Sequence, residues 1–207
     1  GVLHQHLSES PRAIDLYLRA RAEFRRLWES PVNRAVELLE QAHRLAPGDA
    51  TILASYARAR ARRWYFQGRA KEGNKAKKLA EQAIAEAPER GETWLALAQV
   101  RYVECDDASA ARLLRTALSK SPSLADAYEL LGDLLCEVGT IVEARARYTT
   151  ALSLDPARRT RFAMARALAL AGRWDEWRAQ LDAPAEDEAA IFGTLADRPY
   201  MATATLP

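Results

Sequence analysis

The chain has 207 residues, 49% of them hydrophobic and 28% charged, with 30 Lys and Arg against 28 Asp and Glu. That balance is ordinary for a globular chain, and a formal net charge of +2 excludes a protein that seeks nucleic acid over its whole surface. No run approaches the roughly 18 apolar residues of a membrane-spanning helix, and Cys105 and Cys136, which form no CxxC, read as reduced thiols of a cytoplasmic protein without a structural disulfide.

Residues 1–10 hold no apolar core of the kind a secretory leader needs and read as a flexible segment. A chain that opens on Gly1 rather than methionine reads as a piece of a longer protein. Ser10-Pro11 and Ser30-Pro31 each put a capping side chain before a proline suited to the first helical position, which predicts two helix starts. The first helix runs from Pro11 to about Trp28 with Ile14, Leu16, Leu18, Phe24 and Leu27. The second carries Val36, Leu38, Leu39, Ala42 and Leu45 until Pro47 stops it.

Proline then recurs at Pro88, Pro122 and Pro156, 34 residues apart, whereas Pro47 and Pro88 are 41 apart. The seven extra residues lengthen the first helix of the second unit or the turn around Gln67 to Asn74, where Gly68 and Gly73 favour a turn. Ala76, Ala80 and Ala83 keep that unit's second helix, and Trp94, Leu97, Ala98, Ala110, Leu114 and Ala117 make the third unit. The fourth, Ala125 to Pro156, is the fullest: Tyr128, Leu131, Gly132, Leu135, Ala144, Tyr148 and Ala151 fall on the facing sides of two antiparallel helices. Gly139 breaks the first of these. Thr140 with Glu143 has the spacing of a capping box at the start of the second. Gly132, Ala144 and Ala151 are small because two helices cross closely only where neither has bulk.

After Pro156 the pattern decays. Phe162, Ala169 and Gly172 give a fifth first helix, and Trp174 to Trp177 begin a shortened second one. Pro184 opens a further helix with Glu186, Asp187 and Glu188 in its first turn, where negative charge suits the dipole. Ile191, Phe192 and Leu195 give that helix the one apolar side a terminal cap needs. Residues 197–207 form a tail without helical pattern, and Arg198 to Pro207 are expected to occupy a groove, the chain's own or a neighbour's.

The spacing of Tyr128, Leu131, Gly132, Leu135, Ala144, Tyr148, Ala151 and Pro156 resembles a tetratricopeptide (TPR) repeat, and the recurring prolines match that family's 34-residue period. The resemblance implies an all-α, right-handed α-solenoid of about five TPR-like hairpins over residues 11–196, with a C-terminal capping helix. The units are about 11–47, 48–88, 89–122, 123–156 and 157–183, with the cap at 184–196. More narrowly, LYLRARAEFRR (Leu16 to Arg26), the hairpin after Ser30, the overlong second unit and the segments AEQAIAEAP and GETWLALAQV are similar to TPR regions of bacterial multidomain signalling proteins. That likeness covers about Pro11 to Pro156. In those relatives the array is attached to a DNA-binding, nucleotide-cyclase or serine/threonine kinase domain.

In the family, set positions of the first helices line a concave groove. Carried over, they give Arg58 and Arg62 in the second unit, Glu92, Gln99 and Tyr102 in the third, and Asp126, Glu129, Asp133, Cys136 and Glu137 in the fourth. Asp126, Glu129 and Asp133 lie at helical spacings of three and four and so share a face. That face suits a basic segment and the arginines an acidic one; an ordinary solvated polar face accounts for each residue equally well. The clamp that grips chaperone tails through Lys and Asn is absent, since Glu92, Leu95, Asp126 and Glu129 stand at the matching sites.

The most basic stretch holds Arg58, Arg60, Arg62, Arg63, Arg69, Lys71, Lys75, Lys77 and Lys78 against Glu72 alone, interrupted by Trp64, Tyr65 and Phe66. Basic stems snorkelling around packed aromatics, an acidic protein partner, and nucleic acid or another phosphate-rich ligand are the three readings of it, in decreasing order. Catalysis finds little support: there is no phosphate loop, nucleophile elbow or zinc spacing. His4 and His6 lie in the terminal segment, His43 has no partner in metal-ligand spacing, and Asp106 and Asp107 precede a helix, where capping is their job. The sequence thus reads as a non-catalytic protein-interaction module that buries a partner segment in its groove. It carries no cofactor or metal, engages no membrane, disfavours nucleic acid as a partner and leaves self-association open.

Overall fold

A computed structural model of the chain describes residues 10–26, 28–156 and 158–181. These residues form helices α1 (Pro11–Phe24), α2 (Glu29–Leu45), α3 (Ala50–Gln67), α4 (Ala70–Glu86), α5 (Gly91–Val103), α6 (Asp107–Lys120), α7 (Ala125–Glu137), α8 (Ile141–Leu154), α9 (Arg158–Leu170) and α10 (Trp174–Leu181), and no strand occurs among them. The expected cap helix at 184–196 and the tail lie outside the described residues.

Each odd-numbered helix packs closely on the even-numbered one that follows it, and successive pairs stack. The first helices of neighbouring pairs touch in series, α3 on α5, α5 on α7 and α7 on α9, whereas the second helices form no comparable row. Three apolar clusters succeed one another along the array, the first holding Leu16, Leu39, Leu53 and Val100, the second Leu95, Leu114 and Leu130, the third Tyr148, Met164 and Leu168. The described residues therefore share no single core. Stability comes from each pair shielding its neighbour's apolar side, as a solenoid requires.

Local chemistry sets the helix ends. Ser10 Oγ accepts from Ala13 N, Asp49 Oδ1 from Thr51 N and Ile52 N, and Asp106 Oδ1 from Ser109 N, so each satisfies backbone donors that the helix leaves open. Ser30 does not cap α2, because that helix already begins at Glu29; Pro31 falls inside the first turn, where its missing N–H costs nothing. Helix α1 ends at Phe24, short of Trp28, and Leu18 is 52% exposed on its outer side.

The capping box at Thr140 does not form. Gly139, at φ +80°, closes α7 with its N–H on the Cys136 carbonyl and the Thr140 N–H on the Leu135 carbonyl. The Thr140 hydroxyl donates to that same Leu135 carbonyl, at 2.9 Å. It therefore faces back to finish α7 instead of forward to start α8.

The extra residues of the second unit go into its helices: α3 and α4 have 18 and 17 residues against 13 and 14 in α7 and α8. Only Gly68, at φ +66°, and Arg69 make the turn. Gly73 is not in it. It lies buried in α4, where an added Cβ would sit 2.7 Å from Trp64 Cε3.

Candidate functional site

The serial contact of α3, α5, α7 and α9 makes the first helices the inner wall of the array. At their N-terminal ends this wall encloses an open groove of about 780 Å³, with Tyr17 and Phe24 of α1, Ser55 of α3, Leu124, Arg21 and Arg90 among its lining. The turns before α3, α5 and α7 place these groups: Arg90 Nη1 donates to Thr51 Oγ1 at 2.8 Å and lies 3.8 Å from Glu92, and the Gly91 N–H donates to Ser121 Oγ at 3.1 Å. Gly91 is obligatory there, since a Cβ would come within 2.5 Å of the Ala117 carbonyl oxygen.

Deeper along the same wall the space is filled by charged side chains from three helices, α3, α7 and α9. Arg58 Nη1 of α3 lies 2.6 Å from Asp126 Oδ2 of α7, and Arg159 of α9 contacts Asp126 at 3.3 Å and Glu129 at 2.7 Å. Thr160 Oγ1 donates to Glu129 Oε2 at 2.5 Å, and the Tyr148 hydroxyl donates to Asp133 Oδ1 at 2.8 Å. Arg166 bridges Glu137 at 2.9 Å and Asp133 at 3.9 Å. Arg62 has a different partner: its guanidinium stacks 3.9 Å above the Phe24 ring and donates to the Phe24 carbonyl at 3.0 Å.

These surroundings separate the carboxyl groups electrostatically. Burial alone would raise Asp126, but Arg58 and then Arg159 outweigh it and hold that carboxyl well below its ordinary range. Burial pushes Glu129 up, with Asp133 and Asp126 adding to it against Arg159. Asp133 is raised by burial despite the Tyr148 hydrogen bond. Burial also lowers the Arg62 guanidinium, with Arg159 and Arg58 as positive neighbours reinforcing it.

The predicted groove residues are thus together on one wall, but in two states. Glu92 lies at the open mouth, whereas Gln99 and Glu129 are buried, Glu129 to 3%, and Tyr102 is half-buried. The acidic face of α7 is engaged within the chain. The residues that sequence reasoning missed are Arg159 and Arg166; the decayed fifth unit gave no pattern on which to place them. Tyr17, Phe24 and Arg21 were also missed, because the first unit lacks the Leu-Gly pair that fixes register.

The basic stretch does not form one surface. Arg60 and Arg63 both reach Glu72 at 2.6 Å, and Lys75 lies 3.4 Å from Glu40. Burial alone would raise the Glu72 carboxyl, but Arg60 and Arg63 outweigh it and hold it below its usual range. Arg58 and Arg62 point into the groove wall, which leaves Arg69 in the turn and Lys71, Lys77 and Lys78 on the outer helix α4 without an ion pair among the described residues. Cys105 and Cys136 are free thiols, exposed and buried respectively. Among the described residues no three His, Cys, Asp or Glu side chains are grouped to hold a metal, and no helix is long and apolar enough to cross a membrane.

No protein-family profile matches the sequence, and no curated protein aligns with it. Among solved structures the chain is similar to TTC0263, a thermophilic TPR protein of Thermus thermophilus, at 20% identity over 81% of this chain and 87% of that one, with a TM-score of 0.64. It is also similar to part of the Naa15/Naa10 assembly bound to HypK-THB, at 17% identity and a TM-score of 0.50, over 95% of this chain but 26% of that one. YrrB, described as a TPR protein with an unusual peptide-binding site, matches more loosely, at 18% identity over 82% of this chain and 83% of that one, with a TM-score of 0.47. Identities this low speak to architecture alone. The row of stacked helix pairs, its inner wall of first helices and the likeness to TTC0263 together give the chain the tetratricopeptide solenoid fold.

Proposed function

We propose that the chain is a non-catalytic interaction module that holds an extended or helical segment of a partner protein in the open half of its inner groove. The observation that carries this reading is the groove itself: about 780 Å³ of space walled by aromatic, small polar and charged side chains from successive first helices. That volume lies within the range of about 300–1,000 Å³ typical of binding clefts. Exposed Leu154 and half-buried Leu124 offer apolar contact, Ser55 and Ser123 offer hydrogen bonds, and the surrounding charges set orientation and on-rate more than affinity. The sequence likeness of residues 11–156 supports placing the module in a bacterial signalling or regulatory protein that works in the cytoplasm. A nucleic-acid role lacks support from residues 57–78, whose basic side chains are divided between the groove wall, Glu72 and the outer face of α4.

The test is a peptide-display selection on the wild-type chain, with the selected peptides measured against Ser55→Trp, which fills the groove from a half-buried site. Peptides that bind the wild type and lose at least about tenfold in affinity, equivalent to about 1.4 kcal/mol, against a normally helical Ser55→Trp place the partner in the groove. Unchanged affinity removes the reading. Alanine at Asp126, Glu129 and Asp133 together is a poorer probe, because it unpairs Arg58 and Arg159 and so disturbs the scaffold.

A further inference from the structure

Two ion-pair sites join parts of the array that do not otherwise pack. Arg25, at the end of α1, meets Asp155, at the end of α8, with 2.5 Å between Nη2 and Oδ2 across 130 positions of sequence. Arg58 of α3 meets Asp126 of α7, passing over α5, and Arg159 braces the same carboxylate from α9. Neither α1 with α8 nor α3 with α7 forms a helix-packing contact of any extent. All five charged residues belong to the groove wall.

In a solenoid each pair is held by its neighbours, so the curvature of the whole is its softest degree of freedom. Contacts between non-neighbours restrain that curvature directly. We propose that Arg25–Asp155 and Arg58–Asp126–Arg159 form a charge latch that sets the width of the inner groove and thereby controls entry and release of the segment bound there. The consequence for binding rests on the docking role proposed above; the latch itself does not. Its two sites differ in character. Arg58 and Arg159 are 13% and 16% exposed against 55% for Arg25, while the two carboxylates, Asp126 at 38% and Asp155 at 36%, are alike. Added salt therefore releases the outer pair before the inner one.

The experiment measures groove width without a ligand. Spin labels go on Gln41→Cys of α2 and Thr149→Cys of α8, both exposed, in a Cys105→Gly background that leaves only the buried Cys136. Pulsed dipolar spectroscopy then gives the label-to-label distance distribution for the otherwise unaltered chain, Arg25→Asp, Asp155→Arg and the double exchange, with helix content checked by circular dichroism. Both single reversals place like charges together and are expected to lengthen and broaden the distribution; the double exchange restores it. Raising salt from about 0.1 M to about 1 M, where the screening length falls from about 10 Å to about 3 Å, shifts the unaltered distribution the same way. Distances unchanged by either reversal, or a double exchange that stays as long as the singles, overturn the latch and leave the docking role standing. Arg58→Gln is the second variant, expected to lengthen the distance further. A groove that binds no selected peptide sinks the docking role while these distances still decide the latch.

Discussion

In the fourth helix pair the notch is on the first helix and the ring on the second: Gly132 of α7 receives Tyr148 of α8, and a Cβ there would lie 2.6 Å from Tyr148 Cε1. In the second pair the parts are exchanged, with Trp64 of α3 laid against Gly73 of α4. Both crossings are closed by one aromatic ring against one residue without a side chain, and the chain direction of the two is immaterial to the packing. Their charges are handled differently. The second pair neutralises Arg60 and Arg63 internally on Glu72, whereas the fourth sends Asp126, Glu129 and Asp133 to Arg58, Arg159 and Arg166 of other pairs. The second pair settles the charge of Glu72 within itself, while its Arg58 still serves the fourth.

The sharpest way to separate the two crossings is to remove the rings. Tyr148 is fully buried, so Tyr148→Ala is expected to cost about 3–5 kcal/mol in urea unfolding, while Trp64→Ala costs less because part of that ring faces water. Removing Glu72 leaves two largely buried guanidiniums unpaired, and Glu72→Ala is expected to cost about 3 kcal/mol or more. Asp155→Ala, which breaks an exposed pair, should stay within about 1 kcal/mol. Equal losses would mean that burial does not distinguish the two pairs. The notches come next: Gly132→Ala and Gly73→Ala should each lose about 1–3 kcal/mol to overpacking. At an exposed helical site, the same change would gain up to about 1 kcal/mol from helix propensity. A gain at Gly73 would show that the Trp64 ring gives way.

The fourth crossing was legible in the sequence because its notch and ring stand in the order the 34-residue pattern expects. The second was not. Gly73 reads as a turn residue when only local propensity is considered, and nothing short of the tertiary contact tells that Trp64 needs the space. The recurring prolines marked where four of the hairpins end, and the three-and-four spacing of Asp126, Glu129 and Asp133 put them on one face. Their partners were hidden, since Arg58 is 68 positions away and reaches Asp126 only through the curvature accumulated over the intervening pair.

The different fates of these carboxylates also predict a pH response. Glu129 and Asp133 have folded-state pKa values raised above ordinary, so the native chain takes up their protons before the unfolded chain does, and their contribution to stability grows as pH falls from neutral toward the usual carboxylate range. Asp126 and Glu72 are held below ordinary, so what they contribute is retained above the usual range and lost as pH falls through it toward their lower folded values. Melting temperature should therefore peak on the acidic side of neutral. Asp133→Asn, which keeps an acceptor for the Tyr148 hydroxyl, should flatten the rise; a variant with the wild-type profile would assign the rise to other groups.

The turns offer the gentlest test of how far the pairs are equivalent. Gly139 and Gly172 close α7 and α9 in the left-handed region at φ +80° and +69°, and in the third pair Cys105 takes the same conformation at φ +60° with the same two closing hydrogen bonds. A side chain in that region costs about 1–2 kcal/mol, and glycine gives back roughly 0.5–1 kcal/mol of this through its greater freedom in the unfolded chain. Cys105→Gly is therefore expected to stabilise by about 0.5–1 kcal/mol, while Gly139→Ala destabilises by a similar amount, both read as shifts in the urea midpoint at constant slope. A destabilised Cys105→Gly would mean that the exposed thiol makes a contact worth more than the strain of its backbone.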